Sequence, residues 1–144
     1  MSTTPVRLSI VGKQNYVGQD PEVIELVTDG YMVRRGDVWE IGYEESELTG
    51  LEGVTSIFRV SPRGVTLRRT GRLKSQMIFQ EGKRHESLYQ LDFGALMITV
   101  CAQKIRYDLS ESELGTVDMT YSIEIEGAAA GMVEYHLDVT PVAQ

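Results

Sequence analysis

Residues 54–71, "VTSIFRVSPRGVTLRRTG", contain two runs of alternating side chains on either side of a turn. Val54, Ser56, Phe58 and Val60 alternate with Thr55, Ile57 and Arg59. Beyond "SPRG", Val65, Leu67 and Arg69 alternate with Thr66, Arg68 and Thr70. Successive side chains of a strand point to opposite faces, whereas a helix gathers every third or fourth residue. Proline and glycine supply the turn between the runs. Pairing Val60 with Val65 then gathers Val54, Ser56, Phe58, Val60, Val65, Leu67 and Arg69 on one face. The stretch therefore reads as an antiparallel hairpin whose apolar face carries an arginine, Arg69. Arg68 goes to the other face with Thr66 and Thr70.

The same period of two runs outward through the chain. "VRLSIVGK" (6–13) sets Val6, Leu8 and Ile10 on one side. Glu22 to Arg34 and Val38 to Glu45 form a second hairpin around Gly36-Asp37, which puts Met32 beside Ile41 and Arg34 beside Trp39. Leu73, Ser75, Met77 and Phe79 share a face of a sixth strand. "EGKRHE" reads as a polar turn, followed by a short strand at "SLYQL" and a long one from Ala95 to Tyr107. "DLSESE" is the next loop. Val117, Met119, Tyr121, Ile123 and Ile125 then alternate with polar residues, and Val133, Tyr135, Leu137 and Val139 point inward on the last strand. "GAAAGM" is the one segment suited to a helical turn. The prolines at 5, 21, 62 and 141 fall at strand boundaries or turns, where they break no ladder. The pattern predicts an all-β fold: a single antiparallel barrel of eight to ten strands with little or no helix. It spans 1–144 as one domain, with 1–5 and 141–144 as loosely ordered ends.

The chain has 144 residues and a formal net charge of -7. Nucleic-acid binding needs a basic surface, so nucleic acid is not an expected partner. No apolar run reaches transmembrane length and no secretory leader is read at the start, so no membrane partner is expected either. The single Cys101 lies in the apolar run "ALMITVCA" and reads as a small buried hydrophobe. These features place the expected protein in the cytoplasm.

Several residues also carry a resemblance. Tyr43-Glu44-Glu45, Arg69 with Gly71, Met77 with Phe79, Tyr89, Gly94 and Tyr121 occur in an order and spacing that resemble the YwiB-like family of uncharacterised bacterial β-barrel proteins. The likeness spans Val6 to about Thr140. It departs at "LDFG" (91–94), where the family pattern has threonine and proline before the glycine. The resemblance implies a calycin-like, lipocalin-related barrel and brings no catalytic mechanism with it.

Function rests on where Arg69 points. A guanidinium on a core face needs a partner, because burying an isolated charge is very unfavourable. Trp39, Ile41, Tyr43 and Glu45 share one face of the third strand, so Tyr43 and Glu45 are candidate partners. Glu44 replaces Glu45 if a bulge shifts the register by one. Such an arginine either locks a barrel-fixing network or meets the anionic group of a ligand in the barrel mouth. A surface arginine is the remaining reading. An eight-stranded barrel is just wide enough to hold one small ligand. The candidate ligand-binding residues are Arg69, Tyr43, Glu44, Glu45, Trp39, Met77, Phe79, Tyr89 and Tyr121, and the expected ligand is small and anionic or amphipathic.

Enzymatic signals are lacking in the sequence. No nucleophile elbow, phosphate loop or Cys-His pair is present. His85 and His136 lie in different elements, and His136 alternates with Glu134 and Asp138 on a polar face, so neither reads as a metal ligand. The expectation is a non-enzymatic binding barrel with no cofactor and no metal. The alternative is a solidly packed interaction protein that works as a homo-oligomer.

Overall fold

The computed structural model describes residues 3–46, 51–91 and 94–142. The alternation seen in the sequence becomes strand after strand: β1 (Thr4–Tyr16), β2 (Glu22–Arg35), β3 (Val38–Glu44), β4 (Val54–Ser61) and β5 (Gly64–Gly71). They continue as β6 (Ser75–Phe79), β7 (Arg84–Leu91), β8 (Gly94–Ser110), β9 (Leu114–Ile125) and β10 (Ala128–Pro141). The described residues contain no helix, and so none long and apolar enough to cross a membrane. All strands join one antiparallel sheet in the order β6-β5-β4-β3-β2-β1-β10-β9-β8-β7.

The sheet curls until its end strands, β6 and β7, meet. There the wall is stitched rather than zipped. Lys74 and Gln90 exchange backbone hydrogen bonds at 3.2 and 2.9 Å, and Gln80 bridges Lys83 across the turn. Among the described residues no continuous ladder joins Ser75–Phe79 to β7. The strands carrying the two chain ends are tightly paired instead, from Val6 opposite Pro141 to Tyr16 opposite Gly131. The barrel is nearly closed, with one weak seam.

Its core is the inward face of each strand. Val6, Leu8, Ile41, Phe58, Val60, Val65, Phe79, Val100, Val117 and Leu137 are almost fully buried. Val60 pairs with Val65, Met32 with Ile41 and Arg34 with Trp39, the register read from the two hairpins. Gly36 opens the β2–β3 turn at φ +65°, where a side chain would be strained. Gly42 is required for a different reason. The Tyr31 ring packs close over it, and a Cβ there would sit 2.4 Å from Tyr31 Cε1.

Several expectations need correction. "GAAAGM" is strand, not helix: β10 starts at Ala128 and takes up the irregularity as a bulge between Ala129 and Gly131. β8 runs on through Ser110, because Asp108, Leu109 and Ser110 still pair with β9, which shrinks the "DLSESE" loop. β7 begins at Arg84, within the expected "EGKRHE" turn. Thr4, Pro5 and Pro141 are paired strand residues rather than loose ends. Residues 1, 2, 143 and 144 lie outside the described residues, as do residues 92 and 93 of the "LDFG" turn. Cys101 is half-buried on the outer face, since Val100 and Ala102 take the inward positions. Ile125 keeps the inward register but is 38 % exposed, at the barrel rim.

A candidate ligand site around an inward arginine

Four strands place one row of polar residues across the barrel's inner wall. Tyr43 pairs with Ser56, Ser56 with Arg69 and Arg69 with Ser75. Cross-strand partners project to the same face, so the row is built by register alone. Glu45 follows on from β3, tied by its backbone N–H to Val54 O at 2.8 Å. Ser56 Oγ donates to Glu45 Oε2 at 2.6 Å, and Arg69 Nε donates to Ser56 Oγ at 3.4 Å. Arg69 Nε lies 4.0 Å from Glu45 Oε2, with the two side chains 18 % and 2 % exposed. The guanidinium thus meets its carboxylate through a serine hydroxyl. Arg68 is exposed on the opposite face.

Tyrosines surround this group. Burial raises the Tyr43 phenol pKa, Glu45 adds to the rise and Arg69 opposes it. Burial likewise drives Tyr135 well above its ordinary range, with Tyr43 adding and Arg69 opposing. Tyr121 is pushed up to about 12 by burial against the opposing pull of Arg69. All three phenols therefore stay neutral at physiological pH and serve as hydroxyl donors and acceptors. The Tyr135 ring lies 5.5 Å from Phe58, and Tyr121 packs 4.7 Å from Phe79.

The network is incomplete. Ser75 Oγ is buried with no hydrogen-bond partner among the described residues, whereas the buried Tyr135 hydroxyl interacts with the Tyr43 phenol, which in turn interacts with Glu45. Arg69 engages this group through its Nε, and its side chain is 18 % exposed. Gly12 is buried on the inward face of β1, opposite Tyr135 on one neighbour and Ile24 on the other, yet a methyl group there would touch nothing within 4 Å. Further along this end of the barrel the inward side chains Gln14, Tyr16, Tyr89 and Ile123 are only half-buried, and Ile24 is 37 % exposed. Among the described residues, the inward side chains at this end are less buried than those at mid-barrel.

The residues singled out from sequence do not all gather here. Arg69, Tyr43 and Glu45 form the centre, Tyr121 and Tyr89 stand near it, and Phe79 supports Tyr121. Met77, opposite Leu67, is ordinary core. Trp39 lies opposite Val60, four residues along β4 from Ser56 and so roughly 13 Å away. It carries Arg34 over its ring at 5.2 Å and belongs to the other end of the barrel. Glu44 is exposed and faces outward, because no bulge shifts the register of β3. Sequence reasoning missed Ser56, Ser75, Tyr135 and Gly12. The available signal was an inward serine or glycine among large apolar neighbours, a place where a core would otherwise be filled.

The outer wall carries polar groups too. A pocket of about 370 Å³ is lined by Lys13, Lys104, Arg106, Asp118, Glu134 and His136, among others. His136 is held between Asp118 Oδ1 at 2.5 Å and Asp138 Oδ2 at 2.9 Å, and Asp118 chiefly raises its pKa. Both ring nitrogens are thereby occupied, and among the described residues no group of three His, Cys, Asp or Glu side chains is placed to hold a metal ion.

The family model of a domain of unknown function, DUF1934, matches residues 8–138. The chain belongs to this family. Within reach of it is the "Uncharacterized beta-barrel protein YwiB" of Bacillus subtilis (strain 168), to which this chain is 31% identical over 123 residues, covering 85% of this chain and 83% of the relative. The fold agrees as well. The crystal structure of the ywiB protein from Bacillus subtilis superposes with a TM-score of 0.81 at 25% identity, over 94% of this chain and 92% of that one. The DUF1934 match contains the residues of the candidate site, from Gly12 to Tyr135.

Proposed function

We propose that this DUF1934 protein is a non-enzymatic, cytoplasmic carrier or sensor that binds a small molecule inside its barrel, at Arg69. The observation that carries this reading is the unfinished polar set around Arg69. Nearly all buried polar groups in folded proteins have hydrogen-bond partners, and each exception calls for an explanation. Here a buried, unpartnered serine hydroxyl lies in register with Arg69, and the buried carboxylate of Glu45 stands 4.0 Å from Arg69 Nε. A concave, mostly apolar site with a few converging polar groups is the usual form of a small-molecule pocket. Phe58, Phe79 and the tyrosine rings supply its apolar walls. The acidic net charge suits a soluble protein that does not bind nucleic acid.

A thermal-shift screen of metabolites tests the reading. A ligand that binds only the folded state raises Tm in proportion to its occupancy. A compound that stabilises the parent but not Arg69→Gln supports the site. A library that leaves Tm unchanged throughout overturns it.

A second reading, a homo-oligomer, draws on an apolar surface. Val17, Val23 and Val27 are 74 %, 56 % and 64 % exposed around the β1–β2 connection. Sedimentation that gives the monomer mass across a wide concentration range rejects it.

A further inference from the structure

We infer that two copies of this chain pair through the outer face of β1 and β2, about a two-fold axis that lays Lys13 of each copy over Glu25 of the other. The inference rests on the homo-oligomer reading above and gives it a surface. It is independent of the ligand reading, because the Arg69 group lies on the inner face of the sheet. Val11 and Lys13 point outward from β1, on either side of the buried Gly12. Val23, Glu25 and Val27 point outward from β2, and Leu26 between the last two is buried. Val23 and Val27 are 56 % and 64 % exposed, and they flank Glu25 on one strand.

The register fixes how these side chains are arranged. Val11 lies directly opposite Glu25, and Lys13 directly opposite Val23. Four neighbouring outward positions therefore hold two valines on one diagonal and two opposite charges on the other. Elsewhere on this outer face the polar groups are already matched: Arg7 with Asp29 at 3.2 Å, and Tyr31 with Glu40 at 3.0 Å. Lys13 and Glu25 make no ion pair among the described residues, although Glu134 is the other cross-strand neighbour of Lys13. Unpaired surface charges are ordinary when they stand alone. These two stand among bare valines, in a pattern that complements itself.

A two-fold contact uses the same patch on both copies, so each residue meets its own image or that of a residue it suits. An axis along the strands, or across them, would lay each charge on a valine. An axis along the Lys13–Glu25 diagonal would lay lysine on lysine and glutamate on glutamate. The Val11–Val23 diagonal alone satisfies every position. Both valines meet their own images, and Lys13 and Glu25 exchange to give two ion pairs. Strands about 4.8 Å apart, rising about 3.4 Å per residue, then cross between the copies at about 70°, near the orthogonal class of sheet packing. Two convex walls that cross in this way touch over a small area, which places the contact among weak, transient interfaces.

The test is sedimentation equilibrium of the full chain from about 1 µM to about 1 mM, the range of weak association. The inference expects a monomer–dimer equilibrium. Lys13→Glu and Glu25→Lys each set two like-charge contacts across the axis, and each should weaken the dimer about tenfold or more. The double variant rebuilds both pairs in reverse and should return to within about threefold of the parent. Tm at low concentration should match in all four proteins, because both side chains are exposed. Amide NMR of the parent gives a second readout that needs no variant: dilution should move the signals of Val11, Lys13, Val23 and Glu25 and leave that of Ser75 in place. Single variants that dimerise as well as the parent, or a dimer whose dilution moves none of these four signals, overturn this face and leave the homo-oligomer reading standing. A double variant no better than the singles overturns the proposed axis. A parent that stays monomeric throughout overturns the inference and the homo-oligomer reading together.

Discussion

One wall of the barrel, from β2 to β5, carries an arginine, a glutamate and a hydroxyl on each of its two faces. On the outer face, Arg59 Nε reaches Glu40 Oε1 at 3.2 Å and Tyr31 OH donates to Glu40 Oε2 at 3.0 Å. Both carboxylate oxygens are used, and the Arg59 side chain is 46 % exposed. On the inner face, Glu45 Oε2 receives Ser56 at 2.6 Å, Tyr43 also interacts with Glu45, Arg69 stands off at 4.0 Å, and the buried hydroxyl of Ser75 has no partner among the described residues. The outer group is complete where water could have completed it anyway. The inner group leaves one buried hydroxyl, Ser75 Oγ, without a partner among the described residues. Incomplete pairing on a surface means little. In an interior it marks a position held for something other than the fold.

The comparison can be broken most sharply at Arg69. Removing one partner of a buried ion pair strands the other, and such losses run to about 3–5 kcal/mol. Because the contact is long and partly relayed by Ser56, Arg69→Ala should lie at the lower end, about 3 kcal/mol. Its neighbour Arg68 loses the same charge from the outer face, and Arg68→Ala should stay within about 0.5 kcal/mol. Urea unfolding of both variants gives the answer, and equal midpoints would refute the inner-face assignment.

The next largest effect belongs to the outer group. Gly42→Ala drives a methyl group into the Tyr31 ring, 2.7 Å from its hydroxyl oxygen, and so displaces Tyr31 from Glu40. Overpacking of this kind should lower stability by about 2 kcal/mol. Adding Tyr31→Ala to that variant should recover part of the loss, and failure to recover any would show that the strain lies in the backbone.

Arg59→Ala is milder. A half-exposed pair contributes at most about 1 kcal/mol, and salt screens it. Its destabilisation should shrink in concentrated sodium chloride, whereas that of Arg69→Ala should hardly change.

The smallest effect is a slope with pH. Asp118 and Asp138 raise His136 above its ordinary 6.5. A raised folded-state pKa means that the protonated form is favoured by folding. The extra stability is therefore fully present below pH 6.5 and lost as pH rises through the higher folded value. The parent's Tm should fall across that window by more than that of His136→Gln, and parallel curves would remove His136 from the account.

Much of this was legible in advance. Strict alternation around two short turns determined strand pairing, and pairing carried Arg69 inward opposite Ser56. The β2–β3 and β4–β5 registers followed from turn length, because a tight turn leaves one pairing that keeps both apolar faces together. The unread parts have physical causes. "GAAAGM" has helix-forming alanines, yet the neighbouring strands β1 and β9 offer ladders on both sides, and tertiary pairing outweighs a local preference. Trp39 and Met77 share the inward face with Arg69, but a face does not give height along the barrel. Tyr135 comes from the far end of the chain and reaches Arg69 across the interior, a meeting that only closure of the sheet creates.

That closure also says something about the chain's order. Read from β7 round to β6, the strands run β7, β8, β9, β10, β1, β2, β3, β4, β5, β6. Each neighbour follows the last in sequence, except where the two chain ends meet. A circular permutant cut at Gly82, with Pro141 joined to Thr4 through a short linker, would be a plain meander from end to end. Its sturdy ladder between β1 and β10, which now spans the chain from Arg7 to Thr140, would become a local hairpin. Among the described residues, the distant joins left would be the weak stitches of Lys74 to Gln90, Gln80 to Lys83 and Glu81 to Ala102. Folding rates fall as contacts become more distant in sequence, so the permutant should fold faster than the natural chain to the same barrel.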